Sequence, residues 1–308
     1  MRIAINLLWA AVILLMTLKA GYASDKIAVF VSILPQKYFV EQIGKDRVEV
    51  QVMVQPGASP HAYEPKPTQM AALSKASIYF AVGVPFENVW LKKFAAANPE
   101  MAVVHTDQGI EKIFMTGHHH GEEDHHEAAG AHGHFPSEHD ANRQAHAAPD
   151  PHIWLSPPLV KIQSRTIADV LQSADSVHKD FYEDQFRRFA AEIDRLDAHL
   201  KTTFAGKAGL RFMVFHPSWG YFAHAYGLEQ IAIEIEGKDP KPAQLKMLIE
   251  EARRDEIRVI FVQPQFSTKS AALVADSIRG RVAYADPLAE DWLTNLCDLA
   301  DTFNAALR

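Results

Sequence analysis

Apolar residues in this chain fall into two alternating patterns. Short, predominantly apolar runs occur at Ile27 to Ile33, Val48 to Val54, Ile78 to Val82 and Ala102 to His105. Between them, near Gln36 to Ile43, Thr68 to Lys75 and Phe86 to Ala97, apolar residues recur every three or four positions. Runs of that length read as buried strands and the intervening periodicity as helices, so this stretch predicts an α/β unit with a mostly parallel sheet. The alternation begins again after residue 210. Strands are expected at Arg211 to Phe215, Gln230 to Ile235, Arg258 to Val262 and Arg281 to Ala285, and helices near Ser218 to Tyr226, Lys241 to Arg254, Thr268 to Arg279 and Asp291 to Leu307. Asp239 with Pro240 supplies a capping and first-turn pair for the second of those helices.

Between the two units, Ser176 to Ala205 contains no Gly or Pro, and Phe186, Phe189, Ile193, Leu196, Leu200 and Phe204 follow one another at helical spacing. One apolar stripe along some 30 residues predicts a helix about 45 Å long, a rigid strut between the units. The expected fold is therefore two α/β lobes with mostly parallel sheets joined by one long helix. Its expected boundaries are 24–175 for the N-terminal lobe, 176–205 for the linking helix and 206–308 for the C-terminal lobe.

The first residues follow a different pattern. Arg2, the apolar run Ile3 to Leu18 and the small residues at Gly21 and Ala23 read as a secretory signal peptide over 1–23, cleaved after Ala23. The run is shorter than the roughly 20 residues that span a bilayer. No cysteine lies near the cleavage point, which predicts a periplasmic protein without a lipid anchor. Cys297 is the single cysteine, so an internal disulfide is excluded and the core must supply stability. Without Arg2 and Lys19, 38 acidic residues face 29 basic ones, a surplus that disfavours nucleic acid and favours metal cations as partners.

A segment from Thr116 to Ala148 departs from the globular pattern. It carries His118, His119, His120, His125, His126, His132, His134, His139 and His146 among Gly, Ala and acidic residues. With Phe135 its one large apolar residue it is expected to be a mobile loop, and its clustered imidazoles to be weak, adaptable ligands for zinc, copper or nickel. Four further residues carry sharper chemistry. His61 follows the strand ending at Val54, His152 follows the loop, His216 follows Phe215, and Asp286 follows Ala285. Ligands of open α/β sheets bind at the carboxyl ends of strands, so facing lobes would bring these four into the cleft. Three imidazoles and a carboxylate suit zinc. Protons compete for imidazoles, so binding is expected to weaken below about pH 6.5. Trp154, Trp219 and Trp292 lie within a few residues of the candidates, as core or as walls of the site. His224 is expected to be packed, and His105, His178 and His199 to be solvated or capping.

Gly57-Ala58-Ser59-Pro60-His61-Ala62-Tyr63-Glu64-Pro65, Asp150-Pro151-His152-Ile153-Trp154-Leu155, His216-Pro217-Ser218-Trp219-Gly220-Tyr221-Phe222 and Asp286-Pro287-Leu288 together resemble the four motifs of the metal-binding receptors of zinc and manganese ABC transporters. The His-rich segment before the second motif is similar to that of the zinc-uptake receptors of the ZnuA type. The resemblance implies two lobes joined by one long helix, a Zn2+ cargo between them and release to an inner-membrane permease. It places the ligands at His61, His152, His216 and Asp286. The chain departs from the family pattern in lacking a C-lobe disulfide. Pro60 precedes the first His where some members have an acid, so water or Asp286 must complete the shell. Ser156 replaces a common Asp, and with Pro157 it reads as a helix cap. His216 occupies a position where manganese receptors tend to carry a carboxylate, which favours zinc over a manganese cargo. No His-Glu-x-x-His pair, nucleophile elbow or phosphate-binding Gly loop is present, so an enzyme is not expected. A zinc-sequestering or adhesin protein without a transporter is the other alternative, and a monomer is expected.

Overall fold

The computed structural model describes residues 26–115, 149–235 and 237–307. The expected signal peptide and the nine-histidine segment 116–148 lie outside the described residues. The first lobe runs β1 (Ile27–Val31), α1 (Leu34–Gly44), β2 (Val48–Val52), α2 (Pro67–Leu73), β3 (Ile78–Ala81), α3 (Glu87–Ala97) and β4 (Ala102–His105). Two helices follow, α4 (Pro157–Ala174) and α5 (Lys179–Thr203). The second lobe is β5 (Arg211–Val214), α6 (Gly220–Tyr226), β6 (Glu229–Ala232), α7 (Pro242–Arg254), β7 (Val259–Val262), α8 (Lys269–Ser277), β8 (Arg281–Tyr284) and α9 (Trp292–Ala306).

Each lobe holds a four-stranded parallel sheet, ordered β2-β1-β3-β4 and β6-β5-β7-β8. The central strands β3 and β7 are buried along their whole length, and their sequences IYFA and VIFV are continuously apolar as a doubly covered parallel strand requires. In the second lobe the side-chain alternation separates two cores. Phe212, Val214 and Phe261 face a large cluster shared with the first lobe and with α5, while Met213, Ile260 and Val262 face a smaller one under α7 and α8.

The strands in the first lobe end earlier than expected, at Val31, Val52 and Ala81, although backbone bonds continue one step further, from Met53 N to Val31 O at 2.9 Å and from Val54 N to Ser32 O at 3.0 Å. Ile33, Met53, Val54 and Val82 remain buried beyond those ends. Glu229–Ala232 likewise ends before Ile233, which is fully buried. The Asp239-Pro240 cap is not used. α7 starts at Pro242, with the Lys241 backbone bonded to the Gln244 side chain, and Asp239 accepts a bond from Ser270 Oγ instead. Ser156 does precede α4 with Pro157 in the first turn, but its side chain makes no capping bond.

The expected strut is α5, preceded by a single 3₁₀ turn at Ser176–His178 rather than continuous with it. It is also paired. α4, an 18-residue helix that the strand-and-helix pattern did not reveal, packs along it. Phe189, Ile193, Leu196 and Leu200 are buried as the stripe requires. Phe189 marks the point where both lobes meet the strut. Its ring lies 5.9 Å from Tyr38, 6.1 Å from Phe39 on α1 and 6.4 Å from Trp292 at the start of α9. No described helix is long and apolar enough to cross a membrane. Replacing Phe189 with Ala should lower the unfolding free energy of the metal-free protein by about 3–5 kcal/mol. Val177→Ala, at a side chain 86% exposed, should change it by less than about 0.5 kcal/mol. Urea denaturation measures both.

Candidate metal centre

Three imidazoles meet between the sheets. His61 lies on the connection from β2 to α2, His152 leads into a 3₁₀ turn at Ile153–Leu155 before α4, and His216 follows β5 by two residues. One nitrogen from each lies within 4.8 Å of one from each of the others. His61 Nε2 and His216 Nε2 are 3.0 Å apart. Two nitrogens bound to one zinc at about 2.0–2.1 Å and a tetrahedral angle stand about 3.3 Å apart, so the observed spacing needs only a small expansion.

Two of the rings are fixed from behind. His152 Nδ1 lies 2.7 Å from Asp150 Oδ1, which also accepts the His152 backbone N–H at 2.9 Å. His216 Nδ1 lies 2.6 Å from Glu234 Oε1. A carboxylate on Nδ1 makes that nitrogen the donor and leaves the Nε2 lone pair facing the cleft, the arrangement that orients imidazole toward a cation. The assignment follows from the hydrogen-bond network. Gln263 grips the His216 backbone with both ends of its amide, accepting from N at 3.2 Å and donating to O at 2.7 Å. Phe266 stacks on the His216 ring at 4.7 Å and 23°. Gly220 is needed close by, because a Cβ there would sit 2.6 Å from Asp150 Oδ2.

His152 and His216 are 2% and 4% exposed, and the cavity among the histidines is only about 10 Å³. That is room for one water-sized particle. Burial, reinforced by the neighbouring His216 and His152, pushes the His61 pKa down to about 3. Burial also lowers the pKa of His216, opposed by its bond to Glu234. The His61 ring is therefore neutral well below pH 6.5 and burial shifts His216 in the same direction, so the expected weakening of binding just under that value moves to lower pH at these two ligands.

Asp286 stands outside the triplet. It is not among the donor atoms within 4.8 Å of one another, and its Oδ1 accepts from Gln265 Nε2 at 3.0 Å and from the Leu288 backbone at 2.9 Å. A structural tie runs to its neighbour: Trp154 Nε1 donates to Pro287 O at 2.7 Å, and Trp292 Nε1 donates to Trp154 O at 2.6 Å. Of the three tryptophans only Trp154 lines the cavity, while Trp219 packs on Phe222 and Phe303 within the core. His224 is exposed on α6 rather than packed. His178 bonds Asp175 at 2.8 Å, and His199 lies on the exposed face of α5.

Glu234 was missed from sequence, as were Gln263, Gln265 and Phe266. A signal for Glu234 existed: an acid inside the apolar run Ile231 to Ile235 is out of place unless it has a buried partner. Asp150 was recognised as part of a motif but not as the partner of His152.

Two parallel-sheet lobes with a nitrogen-lined, ion-sized cavity between them define a metal-binding receptor. The profile of the zinc-uptake complex component A, periplasmic (ZnuA), matches residues 29–306, and the chain belongs to that family of receptors for ABC zinc uptake. It is 41% identical to a ZnuA deletion mutant crystallised with zinc bound, with a TM-score of 0.79 and coverage of 92% of this chain and 98% of that one. It is 27% identical to the high-affinity zinc uptake system protein ZnuA of Bacillus subtilis, over 87% of this chain and 81% of that protein. The manganese ABC transporter substrate-binding lipoprotein PsaA of Streptococcus pneumoniae is 26% identical over 78% of this chain and 73% of its own.

The lowered pKa of His61 has a definite sign. Its unfolded-state pKa is near 6.5 and its folded one near 3, so between those values the unfolded chain binds the extra proton. Stability of the metal-free protein should rise with pH across that window and fall as acid is added. An NMR titration of the metal-free protein should find the His61 ring neutral at pH 5; a midpoint near 6.5 would contradict the burial argument.

Proposed function

We propose that the protein captures Zn2+ in the periplasm through His61, His152 and His216, gains Asp286 as the fourth ligand when the cleft closes, and delivers the ion to an inner-membrane ABC permease. The observation that carries this reading is the convergence of three imidazole nitrogens, two of them backed by buried carboxylates. Three nitrogen donors favour zinc over manganese, which prefers oxygen. A cavity of about 10 Å³ admits an ion and excludes an organic substrate, which supports a receptor rather than an enzyme. Export by a cleaved signal peptide over 1–23, without a lipid anchor, and a monomeric state complete the proposal. The nine histidines between Thr116 and Ala148 act as secondary, weaker zinc ligands that raise the local supply of the ion.

Replacing His216 with Ala should weaken zinc binding by several kcal/mol, given that a complete structural site is worth roughly 10 to 16, whereas His224→Ala should leave it unchanged. Competition against a chelator of known affinity separates the two, and equal losses would sink the ligand assignment. Deleting residues 116–148 should leave one tight zinc ion and remove the weaker ones, because ligands in a segment whose composition offers no core would have to be ordered at about 1–2 kcal/mol per residue, while the cleft ligands are already placed. Calorimetric titration of both forms checks this. Loss of the tight phase from a folded deletion protein would mean that the segment supplies an essential ligand.

A further inference from the structure

Gln265 stands where two cavities meet. Besides the small one among the histidines, a cavity of about 230 Å³ opens between the lobes, bounded by the segments after β1, β2 and β8. Gln265 and Leu288 line both, whereas Asp286 lines the larger alone. Asp286 Oδ1 holds two donors at once, Gln265 Nε2 at 3.0 Å and Leu288 N at 2.9 Å. The amide of Gln265 cannot be turned over in place, since that would set its carbonyl against a carboxylate oxygen. In the orientation it has, its Oε1 is buried without a hydrogen-bond partner among the described residues. A buried, unmet carbonyl is costly, and the charge-assisted bond to Asp286 is what offsets it.

We propose that Gln265 is a release latch: it competes with the bound ion for the carboxylate of Asp286 and thereby sets how fast the cleft gives up its cargo. The inference rests on Asp286 being the fourth ligand, as proposed above. In the free protein Gln265 holds the carboxylate on the side of the larger cavity, away from the three imidazoles. For the carboxylate to reach an ion held by the histidines, the bond to Gln265 must break. When the ligand shell loosens, the same amide recaptures Asp286 and leaves the ion on three nitrogens. Gln265 is thus a positioning residue that favours the unloaded arrangement. A receptor that must pass its cargo on needs such a competitor, since affinity for the ion alone would only slow delivery.

The test uses the full mature chain with Zn2+ alone as probe. Dissociation is followed after mixing the loaded protein with excess chelator, and affinity by chelator competition. Gln265→Met keeps the length of the side chain and removes the donor; Gln265→Ala removes both. Loss of one hydrogen bond to a charged group from the free state should slow zinc release and tighten binding by about tenfold, with association nearly unchanged. Asp286→Ala should weaken binding, and the double variant Gln265→Met with Asp286→Ala should match Asp286→Ala alone, because the latch then has nothing to hold. Damage to the fold would loosen zinc, so tightening is a sign that a merely structural role does not produce. If Asp286→Ala weakens binding while both Gln265 variants release zinc as fast as the parent or faster, the latch is overturned and the ligand assignment stands. If Asp286→Ala binds zinc as the parent does, the assignment of Asp286 falls and the latch falls with it.

Discussion

Three basic rings can share one small buried cavity only while they are neutral, and a lone pair can face inward from a ring only if its N–H lies on the opposite nitrogen. The bonds from His152 to Asp150 and from His216 to Glu234 meet the second condition at those two rings, and burial favours the neutral form of His61 and His216. Much of the surrounding structure serves these two contacts. Glu234 is brought to His216 because the chain after β6 runs beside Phe215, whose carbonyl accepts its backbone N–H at 3.1 Å. Asp150 is brought to His152 because its own backbone N–H is tied to Ile113 and its carbonyl to the Tyr221 hydroxyl. The carboxylates also balance charge. Each gives a buried imidazole the partner that a divalent ion will later require of it.

The proposed ligands come two from each lobe. His61 and His152 come from the chain before the strut, and His216 and Asp286 from the chain after it, so an ion held by all four, as proposed, would tie the two sheets together. The lobes already share a core through Phe39, Phe189 and Trp292, which limits how far they can part. Motion that matters for the ion is therefore expected in the strand-end segments around the cavity rather than in the strut. Polar contacts of the Gln265 kind, which can be exchanged one for another, belong to such segments.

The sequence was most legible where one period ruled. Strands such as Ile78 to Val82 and the stripe from Phe189 to Leu200 could be placed because burial on one face or on both leaves a direct trace in the apolar pattern. α4 left less of one, since the expected unit ended in a motif and a proline pair, and Ile167, Ala168 and Leu171 gave only part of a stripe among polar residues. Strand ends were overrun because burial and single backbone bonds continue past the regular pairing, as at Val54 and Ile233. His61 and His216 could be named from their positions after strands, His152 from its place after the His-rich segment, and all three from the family resemblance. Their partners could not, since Glu234 lies 18 residues from His216 and the bond between them depends on how β6 lies against β5. Sequence order carries no record of which carboxylate will face which ring. The position of Asp286 was foreseen as a strand end, but its attachment to Gln265 is a matter of side-chain orientation.

The antiparallel bridge from Phe114 to Pro149 has a consequence for how such proteins can diverge. Chain leaves and re-enters the lobe through two adjacent residues, and the bond from Asp150 N to Ile113 O at 2.8 Å closes the ring just below. Whatever lies between is joined to the lobe by this clasp, so its length and composition can drift while the registration of Asp150 and His152 is kept. Closing a loop twice as long costs only about 0.6 kcal/mol more. Insertions, deletions and shuffled repeats are therefore cheap here, and the same clasp makes this a natural place to graft a foreign peptide or reporter without moving the cleft.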